Sequence, residues 1–107
     1  MSEIKPWIRK FTRQLADCRI FSVSESTSVC PRTDDEHRFY FIDTADWVNI
    51  VPITEDGDVV FIRQFRHGSE KITLEIPGGM IDPGEDPQAA AVRECLEESG
   101  YEAGPVE

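Results

Sequence analysis

Long apolar runs are missing from this chain: no stretch approaches the roughly 20 residues that a membrane-spanning helix needs. The start, Met1-Ser-Glu-Ile-Lys-Pro-Trp7, is followed by no apolar core of a secretory leader, so no signal peptide is expected. Cysteine is scarce. Cys18, Cys30 and Cys95 form an odd set without a CxxC pair, which excludes a disulfide framework and a cysteine zinc site. A reducing cytoplasm is the simplest compartment for such a chain. Positive charge is also short, with 11 Lys and Arg against 21 Asp and Glu and a net charge of −10. That balance excludes non-specific association with nucleic acid or an anionic membrane, since both would be repelled. Phosphate compounds remain possible ligands wherever a metal ion or a local arginine supplies positive charge. Repeats, linkers and low-complexity tracts are absent. What is there, 107 residues with 39% hydrophobic and six Phe, is enough for one small domain with a modest core.

Strand signals dominate the first three quarters. Ile20–Ser24 alternates weakly, Pro31–Asp35 is a turn cluster, and Arg38–Ile42 is aromatic and β-branched. Together they predict an N-terminal β-hairpin, with residues 1–38 as an extension and 39–107 as the main domain. Asp46–Ile53 is the next expected strand, and Asp56-Gly57 a hairpin turn. The continuous run Val59-Val60-Phe61-Ile62 predicts a strand buried on both faces. Ile72–Ile76 is a short strand stopped by Pro77-Gly78-Gly79. One helix follows. Asp86 is placed to cap it, Pro87 suits its first position and Gly100 its C-terminal end.

On a wheel of about 100° per residue, Glu94, Glu97 and Glu98 fall within roughly one quadrant. Ala89, Val92 and Leu96 lie opposite and form the expected core face. Three carboxylates so placed repel one another unless a cation sits against them. Hard oxygen ligands suit Mg²⁺ or Mn²⁺, which share coordination with waters and substrate phosphates. Arg93 precedes Glu97 by four residues and is placed to hold it. Taken alone, a Glu-x-x-Glu-Glu pattern is a solvated acidic face in most proteins. Here Gly79, Glu85, Arg93, Glu94, Glu97, Glu98 and Gly100 all fit one fixed pattern. At ~5–10% usage per residue type, seven such matches arise by chance at ~10⁻⁷ or below.

That pattern, G-x5-E-x7-R-E-U-x-E-E-x-G-U over residues 79–101, resembles the Nudix box. The two usually aliphatic positions hold Cys95 and Tyr101, which are packing variants. Upstream, Trp47–Val51, Phe61–Arg66 and Leu74–Gly79 are similar to the ADP-ribose pyrophosphatase branch of that family, so the likeness spans roughly residues 39–101. The resemblance implies an α/β fold, an α/β/α sandwich around a mixed β-sheet. Its later strands and second helix are expected to lie outside these residues, because the sequence ends at Glu107. It also implies roles. Glu94 and Glu98 are the principal metal ligands, Glu97 ligates a further metal or orients its water, and the Gly78 carbonyl completes the coordination. Arg93, Glu97 and Glu98 form the catalytic group, and Glu85 supports the loop. Arg63, Arg66 and Glu75 contact the substrate. The cofactor is Mg²⁺ or Mn²⁺, and the partner is a nucleoside diphosphate-linked small molecule, with a homodimer also implied. The reaction is cleavage of a P–O–P bridge, ADP-ribose giving AMP and ribose 5-phosphate.

Three classes of function fit these residues: a hydrolase, a non-catalytic module of the same fold that binds such a ligand, and a fragment that does not fold alone. Trp47 is expected in the strand core and Trp7 in a freer arm, while His67 and His37 are expected in solvent.

Overall fold

The computed structural model describes residues 3–107. They form two compact units, one ending at Ala45 and the other spanning Asp46–Glu107. In the first, β1 (Ile8–Asp17), β2 (Phe21–Val29) and β3 (Glu36–Thr44) make an antiparallel sheet in the order β1-β2-β3. The expected hairpin is the β2–β3 pair, in unbroken register from Phe21↔Thr44 to Val29↔Glu36. The turn joining them is closed by Cys30 N–H to Asp35 O at 2.9 Å and Asp34 N–H to Cys30 O at 2.8 Å. β1 is an addition to that expectation, and the boundary expected after residue 38 falls inside β3. The small polar residues Ser26, Thr27 and Ser28 of the central strand are buried. Larger neighbours lie beside them: Trp7 packs edge-on against Phe39 at 5.3 Å and His37 at 5.5 Å.

The second unit holds β4 (Trp47–Asn49), β5 (Ile62–Arg66), β6 (Lys71–Glu75), β7 (Gly78–Met80) and α1 (Pro87–Ser99). β4 pairs with β7, and β5 with β6, both antiparallel. The strand expected over 46–53 stops at Asn49. Pro52 has no N–H to give a ladder, and only the bridge Ile53↔Val59 continues around the predicted Asp56-Gly57 turn. The run 59–62 is not buried on both faces: Val59 is 40% and Phe61 52% exposed. Among the described residues that single bridge is its only strand pairing before β5 begins. Trp47, expected in the strand core, is 55% exposed.

The helix begins and ends where its signals lie. Asp86 Oδ2 accepts from Ala89 N–H at 3.2 Å, and Gly100 closes the last turn at φ 76°, the left-handed region a glycine occupies without strain. Its packed face differs from the expected one. Ala90, Ala91 and Cys95 are buried, while Leu96 is 50% exposed. The helix is rotated so that small residues, with Glu94 and Glu98 beside them, meet β4 and β7. Within these residues every ladder is antiparallel and there is one helix; the later strands and second helix of the expected sandwich are not among them. All three cysteines are free. No described helix is long and apolar enough to cross a membrane.

Candidate active site

The site is assembled where the β7 turn meets the acidic face of α1. Gly78 and Gly79 are required there by close approach. A Cβ on Gly78 would lie 2.6 Å from both Val48 O and Asn49 Oδ1 of the paired strand. A Cβ on Gly79 would lie 2.5 Å from Glu94 Oε2 and nearer still to its Cδ and Oε1. The two glycines therefore let a strand and a carboxylate stand against the same short turn from different directions.

Arg93 organises the next layer. A guanidinium carries five N–H donors, and all are engaged. Nε and Nη2 grip the two oxygens of Glu85 at 2.9 and 2.8 Å. Nη2 also donates to Met80 O at 3.0 Å, and Nη1 to Glu94 Oε1 at 2.9 Å and Glu97 Oε2 at 3.3 Å. Glu85 additionally accepts from Asp82 N–H at 3.1 Å. These bonds, Arg93 first, hold the Glu85 carboxyl down at about 2. Arg93 thus ties the turn, the loop before the helix and the helix itself into one piece, and it has no donor left for a ligand.

The three glutamates share a pattern. Glu94 has Oε1 tied to Arg93, Glu97 has Oε2 tied to Arg93, and Glu98 has Oε2 tied to Gln64 Nε2 at 3.0 Å and Gly78 N–H at 3.4 Å. Among the described residues nothing donates to the second oxygen of any of the three. Each carboxylate is anchored at one oxygen and free at the other. Glu98 differs in charge balance. Burial pushes its carboxyl up, the Gly78 N–H opposes this, and the neighbouring Glu94 and Glu75 charges push it further.

Gln64 was not anticipated from the sequence. The signal that locates it is strand alternation, since residues 64 and 66 share one face of β5. On that face Arg66 forms a two-pronged pair with Glu75, both contacts at 2.7 Å. Thr73 also donates to Glu75. These contacts, the guanidinium first, bring the Glu75 carboxyl down to about 2. Two of the five Arg66 donors are so used, and its side chain is 48% exposed, leaving the rest for a ligand. Arg63 lies on the opposite face of the β5–β6 hairpin from Arg66. It lines an open cleft of about 500 Å³ together with Glu98 and Tyr101. His67 packs edge-on against Phe65 at 5.0 Å.

Among the described residues no three His, Cys, Asp or Glu side chains form a ready-made metal cage. Mg²⁺ does not require one. It is commonly bound through one or two carboxylates, with water and phosphate oxygens completing the octahedron. The free oxygens of Glu94 and Glu98, both hard donors, and the unfavourable charge accumulated at Glu98 fit such an ion.

The NUDIX domain profile matches residues 43–107. The methanol dehydrogenase activator of Bacillus methanolicus is 42% identical over 60 residues, 56% of this chain and 32% of that protein. The ADP-ribose pyrophosphatase of Bacillus subtilis is 39% identical over 56 residues, 52% of this chain and 30% of that protein. The chain thus spans about a third of the length of these relatives. A crystal structure of an ADP compounds hydrolase superposes with a TM-score of 0.85 at 27% identity, over 98% of this chain and 57% of that one. With a match that takes in the whole glutamate helix and the turn before it, this chain belongs to the NUDIX family.

Proposed function

We propose that this chain carries the metal-binding and diphosphate-binding residues of a hydrolase that cleaves the P–O–P bridge of a nucleoside diphosphate derivative, ADP-ribose being the preferred candidate. The observation that carries the reading is the set of three glutamates, each fixed at one oxygen and open at the other, beside an arginine with unused donors. When bound, Mg²⁺ or Mn²⁺ neutralises charge on the phosphoryl oxygens and lowers the pKa of a ligated water.

The chain's own residues do the rest. Glu94 and Glu98 hold the ion through their free oxygens, and Glu97, more exposed on the same face, binds a further ion or orients water. The Gly78 carbonyl stands at the same turn and is a fourth candidate ligand. Arg66 grips the diphosphate with the donors that Glu75 leaves free, and Glu75 fixes the plane of that guanidinium. Arg63, on the other hairpin face, reaches a different part of the substrate through the cleft it lines. Arg93 and Glu85 act by positioning, because their polar atoms are already committed. The ADP-linked relatives named above favour an ADP compound over a nucleoside triphosphate.

The test is product analysis after incubating the chain with Mg²⁺ and ADP-ribose, with NADH, GDP-mannose and 8-oxo-dGTP in parallel. AMP and ribose 5-phosphate, lost on adding EDTA, are the expected outcome. Binding of ADP-ribose without turnover of any substrate would instead favour the ligand-binding module.

A further inference from the structure

We propose that Gln64 is a positioning residue for Glu98: its side-chain amide holds Oε2 of that carboxylate so that Oε1 is presented to the divalent cation. The proposal rests on the reading of Glu98 as a cation ligand.

Two donors reach Glu98, and both fall on the same oxygen. The Gly78 N–H stands at 3.4 Å, beyond the usual range for an amide hydrogen bond. Gln64 Nε2, at 3.0 Å, is the firmer restraint. Only the nitrogen end of the amide can face a carboxylate oxygen, so the direction of the bond follows from chemistry. A carboxylate held at one oxygen has lost rotation about its last bond, and its other oxygen points one way.

The neutral amide matters as much as the bond. Arg93 fixes Glu94 and Glu97 with a positive charge. The same device at Glu98 would further cancel the field that draws a cation. An amide restrains Glu98 without adding charge. Arg66, on the same strand face two residues away, is kept committed to Glu75. Gln64 and Glu98 lie 34 residues apart, so the bond also joins the β5–β6 hairpin that carries Arg66 to the helix that carries the glutamates. The groups for phosphate and for cation are thereby set in one frame.

The experiment is Mn²⁺ titration of the substrate-free 107-residue chain, read by the electron paramagnetic resonance of free Mn²⁺, with the melting temperature recorded for each protein. Gln64→Met keeps the side-chain length and removes the donor. Gln64→Asn keeps an amide one methylene short. Glu98→Gln is the control for the site itself. The expected result is that Gln64→Met weakens Mn²⁺ binding roughly 10–100-fold, the range seen when a partner of a metal ligand is removed, with the melting temperature within a few degrees of the parent. Should Gln64→Met not fold, Gln64→Asn is expected to show the same loss. Binding by a folded Gln64 variant within twofold of the parent, while Glu98→Gln loses it, overturns the positioning role and leaves the cation site standing. Equal binding by the parent and Glu98→Gln overturns both.

Discussion

Adjacent glycines at the β7 turn are expected to fail for different reasons when each is changed to alanine. At Gly79 the new methyl would stand 2.5 Å from Glu94 Oε2, where ordinary contact begins at 3.4 Å. The carboxylate must therefore move by about 0.9 Å or more. It is the far end of a flexible side chain, so the fold gives way cheaply and stability changes little. On the proposed function the displaced group is a cation ligand, and a misplacement near 1 Å costs roughly 100-fold in rate. At Gly78 the methyl meets Val48 O and Asn49 Oδ1, each at 2.6 Å. Val48 O is backbone of a paired strand and cannot yield without breaking the β4–β7 ladder. Overpacking of this kind costs roughly 1–3 kcal/mol, which lowers the melting temperature of a small domain by on the order of 5–20 °C. The assay is thermal unfolding by circular dichroism beside Mg²⁺-dependent hydrolysis and Mn²⁺ binding. Gly79→Ala should melt near the parent and lose activity and Mn²⁺ affinity; Gly78→Ala should melt early. A Gly79→Ala protein with parental rate and affinity would refute the reasoning, since it would show that the Glu94 position against the turn is immaterial.

Glu98→Gln is expected to abolish metal-dependent turnover with no loss of melting temperature at neutral pH. The fold raises the Glu98 pKa, so its ionised form opposes folding above the usual carboxylate range and the amide removes that opposition; a lower melting temperature would contradict this. Glu85, held at about 2 against a usual 4.5, works in the opposite direction. Its contribution is fully present above pH 4.5 and is lost as pH falls through about 2, so Glu85→Gln should flatten the fall in melting temperature across that window. Arg66→Ala is expected to raise KM for ADP-ribose roughly 10–100-fold, the scale of losing hydrogen bonds to a charged group, with Mn²⁺ affinity unchanged. Chelation by EDTA should stop hydrolysis and leave the circular dichroism spectrum intact, because the described strands pair through backbone ladders and the helix is closed by Asp86 and Gly100.

The charged face of the site was legible in the sequence because its signal is local. Glu94, Glu97 and Glu98 sit on one helix, and helical geometry alone brings them together. Arg93 reaches Glu97 one turn along the same helix, as their spacing predicts, whereas its two bonds to Glu85, before the helix, are not announced by any spacing. What was not legible depends on pairing between distant segments. Gln64 meets Glu98 only because β5 and β6 form a hairpin that stands beside the helix, and no spacing rule announces a bond over 34 residues. The separation of Arg63 from Arg66 was within reach, since residues three apart on a strand point to opposite faces. The helix core face was misjudged for a related reason. Choosing the most apolar side as the buried one selects Leu96, yet the buried residues of the helix are the small Ala90, Ala91 and Cys95.

The strand that pattern reading misses, β1, shows how a regular structure can hide its own period. Its pairing with β2 slips between Arg9 and Phe11 and again between Gln14 and Ala16. Each bulge shifts the in-and-out alternation by one residue. Ile8, Phe11 and Ala16, which share a sheet face through their partners Val29, Thr27 and Val23, therefore stand three and five residues apart, spacings that no single strand or helix period predicts. The second half of the central strand, beyond the signal at Ile20–Ser24, hides itself in another way. Ser22, Ser24, Ser26 and Ser28 occupy one face of β2, and serine carries little strand propensity. Yet Ser26 and Ser28 are buried, because the short side chain admits larger neighbours from either flank, while Thr12 Oγ1 satisfies the Ser26 hydroxyl at 2.7 Å. A row of serines was thus the mark of a covered centre, not of a loop, and only the bulged register of the strand beside it reveals the difference.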